Sequence, residues 1–119
     1  MDRIKHFLVF WGPVIVWCSL IFYFSNRPIP EQMSESQTFK GVDIIYHFLA
    51  YIPLGILSFR ASKHFLFSVL FVFLYGVSDE MHQSLLPFRD FEVKDMVVDG
   101  LAGFFGVGFL NLWRFLSGT

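Results

Sequence analysis

Polar and ionisable residues recur at helical spacing inside otherwise apolar runs of this sequence. Asp43, His47 and Tyr51 follow one another at intervals of four residues, so they share one face of a helix. Asp95 and Asp99 repeat the same interval further along the chain. Carboxylates grouped with an imidazole can supply a general acid and a general base, or they can ligate a divalent metal.

A second group of polar residues lies between these two segments. Asp79, His82 and Gln83 share a helical face, and Glu80 lies three residues before Gln83. Arg89 follows in a short connection, where a guanidinium can hold a phosphate or a carboxylate through two parallel hydrogen bonds. The sequence therefore places hydrogen-bond acceptors, imidazoles and a cation close to one another along the chain.

The segments that carry these residues are strongly apolar. Hydrophobic residues make up 55% of the 119 residues and charged residues only 16%. A soluble domain of this size could not bury so many large apolar side chains, whereas a bilayer accepts helices with apolar outer faces. The apolar runs predict an all-α fold in one domain, 1–119, which is an integral membrane bundle of four transmembrane helices over about residues 7–24, 43–60, 64–86 and 95–116.

The connection lengths predict that the polar residues gather at one membrane face. The links at 60–64 and 87–94 are short, so the helices on either side of each link should be antiparallel neighbours. His47, Glu80 and Asp99 then lie about 6 Å below the same interface. The residues predicted to lie at the rim of that face are Asp43, Arg89 and Asp95.

Ionisable groups at this depth are costly unless they are paired, neutralised or hydrated, so the group is a candidate site. The candidate catalytic residues are Glu80, His47 and His82. The candidate binding residues are Asp43, Tyr51, Asp79, Gln83, Arg89, Asp95 and Asp99. Head-group or ligand binding and purely structural pairing of these groups stand as equal alternatives, ahead of acid–base catalysis. A divalent metal is the least favoured reading.

Charge and targeting signals narrow the class of protein further. The net charge of −1 offers no basic surface for nucleic acid, and a single Cys18 excludes an internal disulfide. The first apolar run is too long for a signal-peptide core and has no small-residue cleavage site after it, so we expect a retained helix. Arg3 and Lys5 before that run favour termini on the cytoplasmic side.

Ala102 and Gly106 form a pair of small residues four positions apart in the fourth apolar run. Pairs of this kind let transmembrane helices approach closely. We therefore expect this face of the fourth helix to pack against another helix, either within the chain or in a partner.

Three motifs resemble segments of VanZ-like membrane proteins, and together they cover most of the chain. The second segment reads Asp43-xxx-His47-Phe48-xx-Tyr51-xx-Leu54-Gly55. The third reads Tyr75-Gly76-xx-Asp79-Glu80-x-His82-Gln83-xxx-Pro87-x-Arg89, and the fourth reads Asp95-xxx-Asp99-xxxxxx-Gly106. The chain departs from the family pattern at Ile44, Asp99 and Ala102, where the family often has Lys, Asn and Gly.

The resemblance implies a multi-pass protein of the bacterial cytoplasmic (inner) membrane and cell envelope. The family is named for a member associated with resistance to the glycopeptide teicoplanin, and it brings no defined reaction. We predict that the protein binds or modifies the head group of an envelope lipid or lipid-linked precursor, with membrane lipids as partners and no nucleic acid. The alternative is a structural or partner-binding membrane module without catalysis. Whether the chain is an enzyme stays open at this point, and the sequence names no protein partner.

Overall fold

The computed structural model describes residues 2–25, 37–85 and 93–118. Within these ranges the chain forms no β-strand, and its helices are α1 Asp2–Ser25, α2 Gln37–Ser62, α3 Phe65–Gln83 and α4 Val93–Ser117. Each of the four contains a stretch that is long and apolar enough to cross a membrane. The predicted all-α membrane fold is confirmed, and the chain is a multi-pass membrane protein.

The helix ends differ from those predicted from hydropathy. α1 begins at Asp2 and α2 at Gln37, about one to two turns earlier than the apolar runs begin. A helix satisfies its own backbone hydrogen bonds, so it can continue from the hydrocarbon into water, and apolar character marks only the membrane part. α3 ends at Gln83, where the Ser84 amide donates to Glu80 O over 3.0 Å in a closing turn.

α2 is the central helix of the bundle. It packs most extensively against α4 and also contacts α3 and α1, while α3 and α4 pack against each other. α1 contacts α2, touches α3 only slightly, and has no contact with α4 among the described residues. The three helices that carry the candidate site therefore form a core, and α1 lies at its periphery.

Small residues bring the backbones of α2 and α4 together. A methyl group on Gly55 would collide with the Gly103 carbonyl, and one on Gly106 would collide with the Ile52 carbonyl. Ala102, beside them on α4, is completely buried. The expected packing of the Ala102 and Gly106 face is confirmed, and its partner is α2 of the same chain.

Hydrogen bonds to backbone carbonyls attach α1 to the core. Pro13 has no amide hydrogen for the Val9 carbonyl one turn earlier, and the Arg60 guanidinium of α2 donates to that oxygen over 3.1 Å. Trp17 Nε1 donates to Ala50 O on α2 over 2.6 Å. Tyr75 of α3 donates its hydroxyl proton to the Cys18 carbonyl over 2.6 Å. α1 is thus held by side-chain donors along its length, although little of its surface is buried.

The outer surface of the bundle is apolar and its interior contains polar groups. Large hydrophobic side chains are exposed on all the described helices, for example Ile15, Leu49, Leu74 and Phe105. Lipid is the solvent that suits such a surface. The buried polar residues are His47, Ser58, Ser68, Asp79, Glu80, Gln83, Asp95 and Asp99. Most of these buried polar residues belong to the predicted site.

Candidate functional site

Polar side chains from three helices meet at one end of the bundle. We call the following residues the polar cluster: His47 and Tyr51 of α2, Asp79 of α3, and Asp95 and Asp99 of α4. None of them is more than 5% exposed. Glu80 and Gln83, which are also buried, lie on the last turns of α3 at the same end. The structure therefore brings together predicted residues from three separate segments.

The imidazole of His47 lies between two carboxylates of α4. Its Nδ1 is 2.6 Å from Asp99 Oδ1, and its Nε2 is 3.9 Å from Asp95 Oδ2. When Asp99 is ionised, Nδ1 must be the donor of the short bond, so any proton gained or lost by the ring moves at Nε2. A carboxylate that orients a histidine in this way is the arrangement that acid–base catalysts use.

Tyr51 connects this pair to α3. Its hydroxyl group donates to Asp79 Oδ2 over 3.1 Å, and its ring lies stacked on His47 with a centroid distance of 6.1 Å. The other side of Tyr51 packs near Tyr75, with the ring centroids 6.2 Å apart. Because the Tyr75 hydroxyl is hydrogen-bonded to the Cys18 carbonyl, the rings of Tyr51 and Tyr75 connect the polar cluster to α1.

Gly76 creates the space that Asp99 occupies. A Cβ atom on Gly76 would lie 2.8 Å from Asp99 Cβ and 3.0 Å from Asp99 Oδ2, closer than side chains tolerate. Asp99 is fully buried, and its Oδ2 has no hydrogen-bond partner among the described residues. A buried carboxylate oxygen without a partner is rare in folded proteins, so this atom is a candidate acceptor for a bound group.

His82 lies at the edge of the polar face of α3, next to α1. Its ring packs against Phe22 of α1, with centroids 4.6 Å apart. A helix turns about 100° per residue, so His82 is displaced by about that angle from the middle of the face formed by Asp79, Glu80 and Gln83. The structure brings His47 into the centre of the polar cluster and leaves His82 at the boundary with α1.

Two predicted site residues cannot be compared with the polar cluster. Arg89 lies outside the described residues, and of Asp43 only the backbone, within α2, is described. Their proposed roles at the rim stay predictions. Lys94, the cation that the structure does describe near this end, is exposed on the first turn of α4.

The polar groups suit hydrogen bonding and proton transfer. Among the described side chains, no group of three or more His, Cys, Asp or Glu residues is placed to hold a metal ion. The described contacts are instead pairwise bonds between an imidazole or a phenol and a carboxylate. Carboxylate oxygens placed in this way accept hydrogen bonds from a bound group, and the imidazole can exchange a proton with it.

Reasoning from the sequence missed the part that Gly76 plays. Its position in the third motif was visible, but its contact with Asp99 depends on how α3 and α4 are rotated against each other. The signal that could have found it is a glycine one turn before Glu80 in an apolar helix, because such glycines often allow a close approach.

The comparison with known families agrees with the motifs. The VanZ/LLP1 family model matches residues 10–114, which include parts of all the described helices and the whole polar cluster. No curated protein and no solved structure matches this chain. The match spans nearly the whole chain, and this protein belongs to the VanZ/LLP1 family.

Proposed function

We propose that this protein binds the polar head of an envelope lipid or lipid-linked precursor at the polar cluster and exchanges a proton with it through His47. The observation that carries the proposal is the 2.6 Å bond between His47 Nδ1 and Asp99 Oδ1 inside a membrane bundle. An ionisable pair is costly there, and a functional role accounts for its presence.

The depth of the polar cluster favours a head group as the ligand. Asp95 and Asp99 lie about 3 Å and 9 Å along α4 from its first residue, Val93. The hydrocarbon core is about 30 Å thick, so these side chains lie near one interface and away from the midplane. Secondary transporters usually bind their substrates at the midplane, so the location supports a lipid ligand over a transported solute.

The donor and acceptor balance favours a particular class of head group. The buried carboxylates of the cluster accept hydrogen bonds, and Asp99 Oδ2 is an acceptor without a hydrogen-bond partner among the described residues. Hydroxyl or amino groups, such as those of a sugar, supply matching donors. A phosphate on the same lipid would instead require a cation, for which Arg89 and Lys94 are the candidates at the rim.

The location in the cell is part of the same proposal. Arg3, Lys5, Arg60 and Lys63 belong to the bundle end opposite the polar cluster. Positive residues favour the cytoplasmic side of the bacterial inner membrane, which would put both termini inside and the polar cluster at the outer face. A lipid-linked envelope precursor would be accessible there, and a link to glycopeptide (teicoplanin) resistance belongs to the same proposal.

A structural or partner-binding module is the second candidate. The His47–Asp99 and Tyr51–Asp79 bonds join three helices, which is what a purely structural cluster would do. However, the small-residue face that could have bound a partner is covered by α2. The structural candidate therefore rests on the internal bonds alone.

Lipid retention tests the proposal. The wild type and Asp99→Asn are extracted from bacterial membranes in the same mild detergent, and the bound lipids are identified by mass spectrometry. We expect a lipid with a hydroxylated or amino head group to copurify with the wild type and to be depleted in Asp99→Asn. Asp2→Asn is the matched control, because Asp2 is an exposed acid at the opposite end of the bundle. Identical lipid profiles in folded wild type and Asp99→Asn would contradict the proposal.

A further inference from the structure

An apolar crevice opens between α1 and α2 beside the polar cluster. Its volume is about 480 Å³, which is within the range of about 300–1,000 Å³ seen for small-molecule sites. Ile21 and Ala50, both nearly buried, form its floor. Leu20 of α1 and Leu49 of α2 stand at its exposed edges. The crevice therefore faces the hydrocarbon of the bilayer.

One residue that lines the crevice lies beside the polar cluster. Tyr46 lines it, and the Tyr46 ring lies 5.7 Å from the ring of His47. Phe24 lines its end nearest the interface, and Trp17, about 10 Å deeper along α1, also lines it. The crevice thus runs from the level of the polar cluster toward the midplane, in the same half of the membrane.

The lining selects an apolar occupant. Trp17 Nε1 already donates to the Ala50 carbonyl, so the indole ring contributes apolar surface to the crevice. The neighbouring lining residues are aliphatic or aromatic. A flexible alkyl chain can fill such an apolar space, whereas a polar ligand would lose its hydrogen bonds there.

We infer that this crevice holds one alkyl chain of the lipid whose head group binds at the polar cluster, an inference that rests on the proposed function. The site would therefore take an intact lipid, with the chain between α1 and α2 and the head against His47 and Asp99. A second apolar groove, of about 530 Å³ between α2 and α4, is lined by Ile56 and Leu112 and extends toward the opposite end of the bundle. That groove lacks a polar cluster beside it among the described residues.

Photolabelling tests the inference without knowledge of the native lipid. The protein is placed in phosphatidylcholine nanodiscs with a hexadecanol analogue that carries a mid-chain diazirine and a terminal alkyne. We expect labelling of α1 and α2 peptides that saturates with the probe and is displaced by unlabelled hexadecanol. Leu49→Trp fills the crevice and should remove the saturable part. Leu74→Trp is the matched control, because Leu74 is 63% exposed against 66% for Leu49 but lies on α3 outside the crevice.

A second variant distinguishes filling of the crevice from a folding defect in Leu49→Trp. Leu20→Trp fills the same crevice from α1, and it should also abolish saturable labelling. Labelling that never saturates, or that survives both crevice variants, would overturn the inference and indicate bulk lipid only. The native lipid depleted in Asp99→Asn should also be depleted in Leu49→Trp.

The two proposals can fail separately. If lipid retention depends on Asp99 but labelling is insensitive to Leu49→Trp and Leu20→Trp, the inferred chain site is wrong and the head-group function remains. If labelling is lost in both crevice variants but lipid retention is independent of Asp99, the crevice binds alkyl chains and the proposed head-group function is wrong.

Discussion

The His47 imidazole joins α2 to α4 through a 2.6 Å hydrogen bond with the Asp99 carboxylate, and both side chains are completely buried. The same ring faces Asp95 at 3.9 Å, one helical turn away on α4. Two carboxylates and one imidazole are thus grouped where they are shielded from water. The stability of the bundle should therefore depend strongly on this pair.

The first prediction concerns the energy of that pair. Removing one partner leaves the other buried and uncompensated, so His47→Ala and Asp99→Ala should each lower the free energy of unfolding by about 3–5 kcal/mol. The double variant should lose less than the sum, with a coupling energy of about 1–3 kcal/mol. The free energies of unfolding of the wild type, the two single variants and the double variant are measured by reversible unfolding in mixed detergent micelles. Strictly additive losses would show that the two residues do not interact in the membrane.

The second prediction concerns the space beside Asp99. Gly76→Ala puts a methyl group 2.8 Å from Asp99 Cβ, so α3 and α4 must separate and the free energy of unfolding should fall by about 1–3 kcal/mol. Gly12→Ala is the matched control, because a methyl group there meets nothing within 4 Å. Alanine favours helix over glycine, so the control should be neutral or stabilised by up to about 1 kcal/mol. Equal effects of the two substitutions would rule out the described approach of Gly76 to Asp99.

The third prediction concerns the attachment of α1. Tyr75→Phe removes the donor to the Cys18 carbonyl, a loss of about 1 kcal/mol for a hydrogen bond between membrane helices. α1 should then separate more often from the core, and the half-buried Cys18 should react faster with a maleimide. Cys18 is the only cysteine in the chain, so the labelling rate reports this position directly.

Ser19→Ala supplies the control for α1. The Ser19 hydroxyl donates to the Ile15 carbonyl within α1, so its loss should leave the position of α1 unchanged. A Cys18 labelling rate that is the same in the wild type and Tyr75→Phe would mean that the Tyr75 bond does not hold α1 to the core.

Much of the fold and part of the candidate site could be predicted from the sequence. Apolar runs of sufficient length must span the bilayer as helices, because a helix satisfies the hydrogen bonds of its own backbone N–H and C=O groups where no water is present. The four-residue spacings of His47 with Tyr51 and of Asp95 with Asp99 place each pair on one helical face. Short connections then bring those faces to the same end of the bundle.

The pairing of individual groups was decided only by the tertiary structure. Outside the polar residues, the inward and lipid-facing surfaces of a transmembrane helix are both apolar, so hydrophobic periodicity does not specify how each helix is rotated. The rotation follows from close contacts at glycines, such as Gly76 against Asp99 and Gly106 against Ile52. Those contacts bring Asp99 to His47 within hydrogen-bonding distance, aim Tyr51 at Asp79, and turn His82 toward α1. The sequence alone determined which residues reach one membrane face, and interhelical packing decided which of them touch.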